Sequence, residues 1–284
     1  MIRFAISTSA IRGDLSKLDS LVRYGFQQLE IGFFDERSMP KVMEFALRQG
    51  LTYGFHDPLP RPPDFDFPFL TDPNEDRRGT TLASLRRTME TAVKYGALYV
   101  VGHLPSVIWQ PTPGLGEEKV LALAQDSCTR LSSWSEEMGV PVLLENVGPN
   151  PYFHRAESFL EIFRLHPRLG FCLDIGHLHL TALFHDFDPL AFAEALSPYI
   201  SLIHVYNATL KMYREFHHVP VHPSQSPQEG WADIPAILHS ALKGAPSPTI
   251  VFEHTPQYTE DEIFIAEGIE WVKRIVQEVT QEPL

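Results

Sequence analysis

Apolar and polar positions along this chain follow two alternating rhythms. Short β-branched and aliphatic runs, such as LYVVG, PVLLE, SLIHV and TIVFE, are separated by longer stretches of helical spacing. LSKLDSLVRYG, PKVMEFALRQG, TLASLRRTMETAVKYG and EEKVLALAQDSCTRLSSWSEEMG are the clearest of these. The first rhythm suits strands with alternating faces, the second amphipathic helices. Eight strands are predicted: Phe4–Thr8, Gln28–Phe33, Thr52–His56, Leu98–His103, Val142–Asn146, Gly170–Asp174, Ser201–Val205 and Thr249–Glu253. Gly25, Gly50, Gly96 and Gly139 stand just before strands, where a left-handed residue closes a helix. Eight strand–helix units without a composition break predict an α/β fold, a single (β/α)8 TIM barrel over residues 1–284.

The polar residues at the strand ends keep a phase. His56, His103, Glu145, Asp174, His204 and Glu253 close six successive predicted strands, with gaps of 47, 42, 29, 30 and 49 residues. Each gap is about one β-plus-α unit. Side-chain parity places Glu145 with Leu143, Asp174 with Cys172, His204 with Leu202 and Glu253 with Val251. All four acidic or imidazole groups therefore face the barrel interior at its C-terminal mouth, where barrel enzymes keep their chemistry. Oxygen and imidazole donors converging there would repel one another without a cation. Glu145, Asp174, His204 and Glu253 form the expected metal site, three carboxylates and one imidazole that suit Mn, Mg, Co, Fe or Zn.

Composition narrows the partners. A formal net charge of −13, from 36 acidic against 23 basic residues, opposes polyanions, so nucleic acid is disfavoured and a small-molecule substrate is expected. Hydrophobic residues make up 44% of the chain, enough for a large core, yet no run approaches a membrane span. Two cysteines, Cys128 and Cys172, offer no disulfide framework, and the N-terminus lacks a signal-peptide pattern. A cytoplasmic location follows. The apolar C-terminal helix around Phe264, Ile269 and Trp271 either closes the barrel or packs against a second copy, so a homo-oligomer is an option.

Two strand–helix connections are long. Residues 57–72 carry five prolines interleaved with Phe65, Phe67 and Phe69, and residues 104–116 carry Trp109 and three more prolines. Stiff aromatic loops on the catalytic face suit a lid over a small ligand, and equally a cover for apolar barrel rim. Phosphate-binding glycine loops, nucleophile elbows and cysteine clusters are absent from the sequence.

In strand order, the runs LENVG, CLDIGHLHLT, IHVYNA, HHVP…QEGWADIPAIL and FEHTP resemble the xylose-isomerase-like TIM-barrel superfamily. That group contains sugar isomerases and epimerases together with the apurinic-site endonucleases of AP endonuclease family 2. The epimerase branch implies Glu145, Asp174, His204 and Glu253 as ligands of one divalent metal, His177 as a substrate contact, and Glu145 and Glu253 as the catalytic acid and base. A basic residue after the strand-seven histidine is implied as well, for which Lys211 and Arg214 are the candidates; Trp109, from the second aromatic loop, is a further expected substrate contact.

The endonuclease branch implies more metal ions, bound through His56, His103, His177 and His218. Its D-x-H signature reads Phe216-His217-His218 here, without the aspartate. The reading of choice is a metal-dependent isomerase or epimerase of a small sugar, sugar phosphate or polyol-like substrate. The alternative is a di- or trinuclear zinc phosphodiester hydrolase acting on a small molecule, and a silent binding barrel comes third.

Overall fold

A computed structural model describes residues 2–64 and 69–280. Eight strands close into one all-parallel barrel in sequence order, β8 pairing back onto β1. They are β1 Arg3–Ser7, β2 Gln28–Ile31, β3 Thr52–His56, β4 Val100–Leu104, β5 Val142–Asn146, β6 Leu169–Asp174, β7 Ile200–Val205 and β8 Thr249–Phe252. Around them run α1 Met39–Arg48, α2 Glu75–Tyr95, α3 Glu117–Met138, α4 Ala156–Leu165, α5 Ile175–His185, α6 Pro189–Leu196, α7 Leu210–Phe216, α8 Ile234–Leu242 and α9 Glu262–Thr280.

Two departures from the expected elements have local causes. LSKLDSLV is a 3-10 helix, not an α-helix, started by Asp14, whose carboxylate accepts from Ser16 N. β2 stops at Ile31 rather than Phe33 because Thr8 Oγ1 takes both the N–H and the C=O of Gly32 out of the ladder. Phe33 then turns with φ +69°.

The parity argument holds throughout the barrel. Ala5, Tyr99, Val101, Leu143, Cys172, Leu202 and Val251 form an enclosed interior cluster. Alternate residues such as Val100, Val142, Leu144, Phe171, Leu173 and Ile203 face outward into the shell between sheet and helices. That division fixes every strand's register, because a one-residue slip would exchange the two faces. Gly96 and Gly139, at φ +74° and +69°, end α2 and α3 as anticipated. α9 buries Ile265, Ile269, Val272 and Val276 and packs against α8, closing the helical ring. Among the described residues no helix is long and apolar enough to cross a membrane.

Candidate metal centre

Four strand ends meet at the mouth. Glu145 lies one residue from the end of β5, Asp174 ends β6, His204 lies one residue from the end of β7, and Glu253 follows β8. One ligand atom from each lies within 4.8 Å of all the others, and all four residues are buried. Backbone pairing brings them level: Asp174 sits opposite His204 across β6 and β7, and Glu253 N–H donates to Val205 O.

Asp174 and His204 are each held by a second interaction that leaves one atom over. Asp174 caps α5 by accepting from His177 N through Oδ1 at 2.7 Å, while its Oδ2 has no partner. Asn146 pins that strand end from both sides, donating to Asp174 O at 2.9 Å and accepting from Asp174 N at 2.8 Å. His204 Nε2 lies 2.9 Å from Glu30 Oε1, while its Nδ1 has no hydrogen-bond partner and stands 3.3, 3.6 and 3.8 Å from Glu253, Glu145 and Asp174. Glu253 Oε2 is buried and unpartnered. Buried polar atoms are nearly always satisfied. Three orphaned donor atoms aimed at one point, with Glu145 beside them, are what a divalent cation would satisfy, so the residues fit a metal.

Electrostatics agree. Burial pushes Asp174 well above the ordinary carboxylate range, and the neighbouring Glu145 and Glu253 push it further. Glu253 is opposed by burial, yet His204 and His218 outweigh that and bring it down to about 2. Glu145 is likewise held well below its ordinary value against burial, by His204 and by the hydrogen bond from His56. Metal-free, the site thus opposes charge on Asp174 and favours it on both glutamates. A cation entering would displace protons.

The flanking histidines divide. His56 Nε2 lies 3.1 Å and His103 Nε2 3.4 Å from the same oxygen, Glu145 Oε2, making a second group able to hold a cation. Burial opposes charge on His56, but Glu145, Glu30 and Glu253 raise it to about 10. Burial lowers His103 to about 4 and His177 to about 3, so both stay neutral. His218 donates through Nδ1 to Glu253 O at 2.9 Å and stacks on Tyr206 at 3.7 Å, with His177 edge-on to both rings. Cys172, on the strand position below Asp174, is a buried free thiol within the same interior.

Lys211 and Arg214 lie exposed on α7, and it is Tyr213 whose ring faces inward, 5.8 Å from His177. Trp109, at 60% exposure, stands out from the β4–α3 loop. Of the other long loop, Phe65, Asp66, Phe67 and Pro68 lie outside the described residues. Asp57, at the start of the long β3–α2 loop, is buried and accepts from Thr88 Oγ1 at 2.7 Å and Ser84 Oγ at 3.2 Å.

Sequence reasoning passed over Glu30, on β2. It is fully buried and touches both His204 and the Tyr99 hydroxyl. Counting the strand-end phase back one unit from His56 lands on it, a lone glutamate in the apolar run QQLEIGFF.

The fold and the mouth cluster define a TIM barrel whose C-terminal end gathers a buried carboxylate–histidine group able to hold a cation. Residues 18–275 match the profile of the xylose isomerase-like TIM barrel family, and the chain belongs to that family. No curated protein matches. Among solved structures, a D-tagatose 3-epimerase-like protein is similar over 99% of each chain, with a TM-score of 0.74 and 19% identity. An IOLI protein with a bound zinc atom aligns over 99% of this chain and 98% of its own, with a TM-score of 0.71 and 18% identity. A xylose isomerase-like TIM barrel protein from Mycobacterium smegmatis in complex with magnesium covers 98% and 97%, at a TM-score of 0.64 and 14% identity. At these identities the likeness is one of fold.

Proposed function

We propose that the protein is a divalent-metal-dependent isomerase or epimerase acting on a small sugar, sugar phosphate or polyol-like molecule. The observation that carries this reading is the set of orphaned, buried donor atoms on Asp174, His204 and Glu253 beside Glu145. The sugar epimerase and metal-bound proteins among the structural neighbours support it. Glu145, Asp174, His204 and Glu253 would hold Mn, Mg, Co, Fe or Zn. Such a cation supplies positive charge that polarises a substrate carbonyl and eases loss of a proton from the adjoining carbon.

The chain's own residues do the rest. Both glutamates are carboxylates at neutral pH, so either serves as the base that removes that proton. Glu145 and Glu253 come from strands three places apart in the barrel and approach the centre from different sides. One accepts the proton from one face of the carbon, and the other, having taken up a proton from solvent, returns it to the opposite face as the first gives its own up to solvent. His177, held neutral by burial, offers a hydrogen bond to a substrate hydroxyl without competing for the proton. Trp109, Lys211 and Arg214 at the rim contact the outer part of the substrate. The protein works in the cytoplasm, where its two buried thiols remain reduced.

The test is ketose epimerisation in deuterium oxide with Mn2+ added to chelator-treated protein. One solvent deuteron at the inverted carbon is the expected result. Inversion without deuterium would overturn the proton-transfer mechanism.

A second reading rests on the His56–His103–Glu145 group, which offers room for a further cation. It makes the protein a hydrolase of small phosphodiesters. Metal content per chain separates the two: one equivalent for the isomerase, two or three, chiefly zinc, for the hydrolase.

A further inference from the structure

Glu30 has a carboxylate that water does not reach. Such a group is costly to bury, and an apolar side chain of similar volume would suit a barrel interior better on stability alone. Its surroundings are built for it. His204 Nε2 hydrogen-bonds Oε2 at 3.1 Å and approaches Oε1, which has no hydrogen-bond partner, to 2.9 Å, and the Tyr99 hydroxyl donates to Oε2 at 3.2 Å. Tyr99 reaches it across β3 only because Gly54, level with Glu30 in the β2–β3 register, carries no side chain. A Cβ there would stand 2.1 Å from the tyrosine ring. The partner of this carboxylate is therefore one edge of His204, whose other nitrogen, Nδ1, is the unpartnered atom facing Glu145, Asp174 and Glu253.

We infer that Glu30 is a positioning residue: it holds the His204 proton on Nε2 and so presents Nδ1, with its electron pair free, to the cation. The inference rests on reading the quartet as a cation site. A metal-bound imidazole commonly gives its second N–H to a carboxylate, which fixes both tautomer and ring orientation. Here the strand-two glutamate fills that place, and Tyr99 fixes the glutamate in turn. Glu30→Gln keeps the shape but replaces one oxygen by an amide that donates to Nε2, favouring a proton on Nδ1, where the cation would bind.

The measurement is Zn2+ affinity by chelator competition, together with the imidazole nitrogen shifts of His204 in the zinc-loaded protein. In the wild type, Nε2 carries the proton and Nδ1 is coordinated. Glu30→Gln weakens Zn2+ binding about 10- to 100-fold, while Tyr99→Phe, which leaves the carboxylate in place, weakens it by no more than about 5-fold. A merely structural Glu30 would lower the melting temperature of Glu30→Gln and leave zinc affinity unchanged, which would overturn the inference. Coordination through Nε2 in the wild type would overturn it too, and decides the matter even if Glu30→Gln fails to fold. Wild-type protein that takes no Zn2+ overturns the cation reading itself, an outcome distinct from a wild type that binds and a variant that binds equally well.

Discussion

The two halves of the barrel are built alike and used differently. From β5 to β8 each strand end supplies one member of a four-residue group, every member buried and three of them with an unpartnered atom at the centre. From β1 to β4 the strand ends supply Glu30, His56 and His103, which touch that group from outside it. His56 and His103 reach a single oxygen of Glu145, and Glu30 reaches the far side of His204. The two histidines keep 14% and 19% of their side-chain surface open to solvent, against 7% or less for the quartet. On the proposed reading, one half of the mouth holds the cation and the other half orients and receives. Damage to the second half should therefore remove chemistry, and damage to the first should tune it.

The sharpest test of that division is Glu253→Gln. Glutamine fills the same volume but neither accepts the substrate proton nor offers a charged ligand. Turnover is expected to fall about 10^3-fold or more, roughly 4 kcal/mol in the barrier, with the fold intact by circular dichroism. Full activity on the true substrate would break the acid–base assignment and the division with it.

Much of this was legible in the sequence for a physical reason. A strand that points alternate residues inward leaves its register in the order of letters, so LLENV alone places Leu143 and Glu145 inside the barrel and Leu144 outside. The convergence of the four residues at the mouth follows from parity and phase. Glu30 obeys the same rule, but its role depends on Tyr99 and Gly54, which meet it only through cross-strand register. The α7 residues were harder still. Lys211 and Arg214 stay exposed at the rim while helical turning faces Tyr213 inward, and seven residues show too little periodicity to reveal that third residue. Asp57 reads as a loop acid, and only the position of Thr88 on α2 shows it buried and satisfied.

Acid sharpens the comparison at the edge of the second half. His254, next to Glu253, is buried, and that burial brings its imidazole from 6.5 down to about 4. In the unfolded chain the ring protonates near 6.5, so folding holds it neutral. Its contribution to stability is complete above pH 6.5 and is lost as pH falls toward about 4, about 3 kcal/mol in all. His56, ringed by carboxylates, shifts the opposite way and gives no such loss in that range. Urea unfolding of chelator-treated protein should show stability dropping from pH 7 to pH 5, with a shallower drop in His254→Asn. Equal slopes in the two proteins would mean that His254 is not kept neutral.

The smallest expected effect, and the one that bears most directly on how the halves differ, is His103→Ala. His103 stays neutral, its Nδ1 has no hydrogen-bond partner, and its Nε2 lies 3.4 Å from Glu145 Oε2. If the first half only receives substrate, the variant keeps one metal equivalent per chain. Its KM then rises about 10-fold, near 1.4 kcal/mol, while kcat moves little, because what is lost is binding shared by substrate and transition state. If the variant instead loses a metal equivalent, and loses turnover as heavily as Glu253→Gln does, then His56, His103 and Glu145 hold a cation of their own. The mouth would then hold metal on both sides, the division between the halves would disappear, and phosphodiesters would replace ketoses as the substrates to pursue. Elemental analysis of wild type and variant, beside their steady-state constants, separates the two outcomes.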